Sequence, residues 1–108
     1  MDHEFVEIGQ YYVLIVKERL DFYNVSEFKK VFLEMLDGDH EYMATELKGN
    51  VNEISSSVIA VLLTGQKKIS ALKRKLVLVN VGEPVRNIFF LAGLSNFFTI
   101  VDNKDQLR

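Results

Sequence analysis

The stretch ISSSVIAVLLTGQKKISAL at residues 54–72, followed closely by KLVLVNV at residues 75–81, decides the fold. In the first part, Ile54, Val58, Val61, Leu62, Gly65, Ile69 and Leu72 recur at three- and four-residue steps, forming one stripe of an amphipathic helix of about five turns. The second part is nearly all apolar and β-branched, the composition of a central strand covered on both faces of a parallel or mixed sheet. Gly65 on the apolar stripe predicts close packing against that sheet. A helix feeding into a buried strand is the unit of an α/β layer structure with right-handed crossovers.

The same pattern extends to both sides. Upstream, Tyr11 to Val16 is aromatic and β-branched, and Gly9-Gln10 turns it back on a first strand from Phe5 to Ile8, which gives a hairpin. Val25, Phe28, Val31, Phe32, Met35 and Leu36 form a helical stripe, with Asn24 or Asp21 as its cap and Gly38 as its end. Tyr42 to Leu47 is a third strand, weakened by Ala44, Thr45 and Glu46, and Gly49 and Asn50 turn it toward the long helix. Downstream, Glu83-Pro84 opens a helix through Val85, Ile88, Phe89 and Ala92 that Gly93 closes. Phe97 to Val101 is the last strand, and the polar tail 102–108 is expected to fray. The predicted fold is a single α/β domain over 1–108, a mixed β-sheet with helices in the order β-β-α-β-α-β-α-β.

Composition narrows the function classes. The 108 residues are 48% hydrophobic, enough for one real core. Thirteen basic against fifteen acidic residues leave a formal charge of −2, which supplies no field for nucleic acid or a membrane surface. Five of the thirteen, Lys67, Lys68, Lys73, Arg74 and Lys75, gather near the end of the long helix, where positive charge favours the helix C-terminus. No aromatic residue interleaves them, so they do not read as a nucleic-acid patch. The chain has no cysteine for a disulfide or thiolate metal site. Its acidic start, Met1-Asp2-His3-Glu4, is no secretory signal, and its apolar runs fall short of the roughly 20 residues that span a bilayer. A soluble cytoplasmic protein without direct membrane insertion is expected.

Catalytic and cofactor motifs do not appear. The turn Asp37-Gly38-Asp39-His40-Glu41 has too few carboxylates, at the wrong spacing, for a calcium loop, and it reads as a solvated turn. There is no Gly-x-Ser-x-Gly elbow and no phosphate-binding Walker loop. The reading is of a non-enzyme with no cofactor and no metal. What carries chemistry is Ser55-Ser56-Ser57 at the start of the long helix. One hydroxyl there caps exposed amide hydrogens, and any of the three can accept a phosphate beside the positive end of the helix dipole.

The order of elements, Leu20-Asp21, Ser56-Ser57 ahead of Val61-Leu62-Leu63, the strand Leu76 to Val81, and Leu91-Ala92-Gly93-Leu94 before Phe98-Thr99-Ile100 together resemble the STAS domain. That is the fold of bacterial anti-sigma factor antagonists and of the cytoplasmic tails of sulfate transporters. In the family an Asp-Ser-Ser-Gly motif opens the helix, and the serine before the glycine is phosphorylated by a kinase that is itself an anti-sigma factor. Matching Val61-Leu62-Leu63 puts Ser57 at that position, with Ser56 as the less favoured neighbour. The resemblance implies a regulator of transcription and signal transduction that binds an anti-sigma factor or serine kinase through Asp21, Ser55, Ser56, Ser57 and Val58. Phosphorylation would add about −1.5 to −2 charges and release that partner. This chain has Ser55 where the family has aspartate, Val58 and Ala60 where it has glycine and a second small residue, and Glu18 where a glycine precedes the aspartate. Val58 is expected to add bulk beside the phosphorylated hydroxyl.

The alternative is a divergent STAS scaffold or dimerising subunit of a signalling or membrane-associated complex, with serines that only cap. Phe90 lies off the stripe of its helix, so an exposed aromatic there is a contact for a partner or for a second copy in a homodimer.

Overall fold

A computed structural model describes all residues, 1–108. Strands β1 (His3–Ile8) and β2 (Tyr11–Val16) form the antiparallel hairpin, and α1 (Val25–Leu36) then leads to β3 (Tyr42–Leu47). A short 3-10 turn, Lys48–Asn50, precedes α2 (Ser56–Ala71), and β4 (Lys75–Val79), α3 (Glu83–Leu91) and β5 (Thr99–Val101) complete the series. The five strands lie in the order β1-β2-β3-β4-β5, with every pair after the hairpin parallel. This is the mixed-sheet α/β architecture expected from the sequence, with β3 rather than β4 at its centre.

Because each crossover steps one strand in the same direction, all three helices fall on one face. Leu14 and Val16 of β2, Met43 of β3, and Leu76 and Leu78 of β4 meet Phe28, Phe32, Val58, Leu62, Ile69, Val85 and Phe89 from the helices in one buried core. The alternate strand residues, Val13, Ile15, Ala44, Val77 and Val79, form a second buried cluster on the opposite face. No helix covers them. That role falls to the tail, which the sequence reading expected to fray: Asn103 caps a 3-10 turn at Lys104–Gln106, and Leu107 is buried in the second cluster. Lys104 Nζ donates to the buried Glu46 carboxylate at 2.6 Å, and the main chain of Arg108 reaches the β1–β2 turn at Gly9. A charge-assisted bond and one leucine thus hold the strap across the sheet.

Other boundaries move for local reasons. Strand β4 stops at Val79 because Asn80 takes a left-handed φ of 58°. Gly65 packs against α1, not the sheet: a Cβ there would lie 2.4 Å from Phe32 and 2.8 Å from Leu36. The basic end of α2 also serves α1, with Arg74 donating to the Gly38 carbonyl at 2.7 Å and Lys68 pairing with Asp37. The turn Asp37 to Glu41 is solvated at Asp37, Asp39 and Glu41, but His40 within it is half-buried and stacks on Tyr12 with ring centroids 4.0 Å apart.

Candidate functional site

All three helices begin at the end of the sheet where the parallel strands finish, and the serines sit on that rim. Ser55 is the N-cap of α2, its backbone extended and its hydroxyl accepting from the Val58 amide at 3.3 Å. Ser56 and Ser57 are therefore the first two residues of the helix, and all three serines are exposed. With the capping duty on Ser55, the Ser57 hydroxyl is left at the positive end of a 16-residue helix whose first turn carries no acidic side chain. Val58 differs from its expected place at a partner surface: it is fully buried in the main core. Its branched side chain packs in the core, so it presents no bulk at the surface beside Ser57.

Asp21 lies in the turn between β2 and α1, and its carboxylate accepts from the Tyr23 and Asn24 amides at 2.8 and 3.1 Å. Asn24 returns the favour by accepting from the Asp21 amide at 2.7 Å and donating to the Arg19 carbonyl at 2.9 Å. Asp21 and Asn24 thus lock the turn together; Asn24 is the N-cap residue of α1, but neither side chain bonds an amide of the helix, contrary to the capping role expected from the sequence. Asp21 and Ser55 line one shallow depression with Arg19, Leu20, Phe22 and Glu53, while Ser57 lies outside it on the first turn of α2. The locked turn presents Phe22 and Tyr23 to solvent at 86% and 89% exposure, edge to face with centroids 5.9 Å apart.

Three contacts hold this turn against the start of α2. Asn50 is buried; its side-chain oxygen accepts from the Leu20 amide at 3.0 Å and its nitrogen donates to the Glu18 carbonyl at 3.2 Å. Gly49 lets the two backbones meet, since a Cβ there would fall 2.5 Å from the Arg19 nitrogen. Arg19 bridges to Glu53 at 2.8 Å. Behind the rim, Thr45, Asn50, Asn80, Leu62, Val85 and Phe89 are among the residues around a cavity of about 20 Å³, and the Thr45 hydroxyl has no protein partner. That volume suits about one water.

The family model for the STAS domain matches residues 3–107. The chain belongs to the STAS domain family. Among solved structures, this STAS domain superimposes on a candidate anti-sigma factor antagonist of Thermotoga maritima with a TM-score of 0.80 at 25% identity, over 94% of this chain and 86% of that one. An anti-sigma factor antagonist STAS domain protein of Planctomyces limnophilus gives 0.83 at 20% identity, over 98% and 94% of the two chains. The Bacillus cell-fate determinant SpoIIAA in its phosphorylated form gives 0.71 at 15% identity, over 99% and 100%. No curated protein sequence matches. The STAS domain is thus similar to anti-sigma factor antagonists, and no helix in it is long and apolar enough to cross a membrane.

Phe22, Tyr23 and Asn50 did not emerge from the sequence as site residues. The signal for the first two was present: two adjacent aromatics between a strand end and a helix cap, off any apolar stripe. For Asn50 there was none, because a buried asparagine bridging two loops reads in sequence as any turn residue.

Proposed function

We propose that this STAS domain is a non-enzymatic, cytoplasmic regulator of transcription, an anti-sigma factor antagonist that binds an anti-sigma factor with serine-kinase activity through the rim at the start of α2. Phosphorylation of Ser57 releases that partner. The observation that carries the reading is the division of labour among the serines: Ser55 caps the helix, which leaves Ser57 exposed at its second position. Ser56 is the alternative acceptor. Phe22 and Tyr23 supply the apolar anchor beside the serines, and Asp21 and Ser55 act by positioning that anchor and the helix start. Val58 contributes backbone only.

The γ-phosphoryl group passes from ATP to Ser57 Oγ, the hydroxyl proton leaves to the kinase's base, and ADP departs. The helix dipole tolerates the new dianion, while a partner surface fitted to a neutral hydroxyl is left with a desolvated charge. Incubation with the cognate anti-sigma kinase and ATP, followed by peptide mass spectrometry, should locate one phosphate on Ser57, and Ser57→Ala should remain unmodified. Phosphate elsewhere, or an unmodified wild type in a bound complex, removes the switch. The capping bond of Ser55 favours a second reading, a scaffold whose serines are structural. It predicts equal partner binding by Ser57→Ala and Ser57→Asp.

A further inference from the structure

The last turn of helix α3 exposes apolar side chains as well as burying them. Val85 and Phe89 are buried in the core, while Ile88, Phe90 and Leu91 are exposed by 41%, 70% and 83%. The first turns of α3 keep Glu83, Arg86 and Asn87 toward solvent, so the apolar exposure is confined to its last turn, a patch suited to being covered by a partner. From Asn87 to Val101 the chain carries no charged residue. Phe90 stands between two hollows of this surface, one lined with Gly93, Ser95 and Phe97, the other with Asn87, Ser95 and Ile100. Arg86 brings a charge to the rim of the second, and it is already engaged by Asp102 at 3.1 Å and by the Val81 carbonyl at 3.0 Å.

We propose that this face is a homodimer interface in which Phe90 of each copy enters a hollow beside Phe90 of the other, about a two-fold axis. Two observations select a second copy as the occupant. Knob and hollow lie on one face, as an isologous contact requires, because there a single patch must complement itself. The face is also neutral, so two copies meet without like-charge repulsion, whereas a charged partner would be desolvated with no counter-charge to meet. α3 runs away from the rim that carries Ser57, so its exposed end lies toward the opposite edge of the helical layer. A dimer formed there leaves the serine surface open, and the inference stands independently of the switch.

Sedimentation velocity on the full chain, from micromolar to millimolar concentration, tests it. The expected result is a species of twice the 12.4 kDa chain mass that grows with concentration. Phe90→Lys and Leu91→Glu, made separately, should each weaken association about 30-fold or more, as loss of a central anchor does. Both side chains are mostly exposed, so each variant should keep the wild-type circular-dichroism melt. A wild type that stays monomeric throughout, a monomer that instead floats with phosphatidylcholine vesicles, or a dimer indifferent to both substitutions overturns the proposal.

Discussion

The domain exposes aromatic side chains at two places, and their surroundings differ. Near the start of α2, Phe22 lines a depression with Asp21, Arg19, Glu53 and Ser55, and Phe22 and Tyr23 sit on a turn fixed by hydrogen bonds involving Asp21, Asn24 and Asn50. At the end of α3, Phe90 and Leu91 stand in a stretch without charge, at a helix end closed by Gly93 and Leu94 amides bonded back to Phe90 and Phe89. Exposure alone would give both the same meaning. Electrostatics separates them: the first surface is lined by charged side chains beside a helix N-terminus, where an added phosphate would change the local potential, and the second lies in a stretch without charged residues. On the proposed reading, the first surface responds to phosphorylation and the second does not.

Replacing Phe22 and Tyr23 together by alanine should break the comparison most sharply. Partner affinity should fall about 30-fold or more, measured by calorimetric titration with the anti-sigma kinase, while self-association stays as in wild type. Parallel loss of both would mean that one surface serves both contacts. Asn50→Ala should have a smaller and different effect. It leaves the Leu20 amide without its partner in a buried setting and costs about 1–3 kcal/mol of stability, read from urea unfolding. Its partner affinity should drop as the Asp21 turn loosens, and the α3 face should be unaffected.

Much of the fold was legible in the sequence because the relevant signals are local. The stripe through Val58, Val61, Leu62 and Ile69, the run Lys75 to Val79, and the Glu83-Pro84 opening of α3 each report a period or a terminus that needs no tertiary knowledge. Gly65 shows the limit. Its position on the stripe predicted close approach, but periodicity does not say which element arrives, and that element is α1. Leu107 was unreadable for a related reason: one apolar residue in a polar tail has no period, and its burial follows from the sheet's need to cover Val13, Ala44 and Val77. At the site, the spacing to Val61-Leu62-Leu63 singled out Ser57, and the resemblance placed Val58 beside it as a contact. Helical geometry divides these neighbours, because successive residues point about 100° apart and the third helical position of α2 faces the core.

If charge on Ser57 controls the rim at the start of α2, the three side chains serine, alanine and aspartate at that position separate by binding. The most direct test is the dissociation constant of the anti-sigma kinase for wild type, Ser57→Ala and Ser57→Asp, measured side by side without ATP. Ser57→Ala should bind within about twofold of wild type, and Ser57→Asp about 30-fold more weakly or worse, the cost of an unpaired charge in a desolvated contact. Equal constants for all three proteins would contradict it.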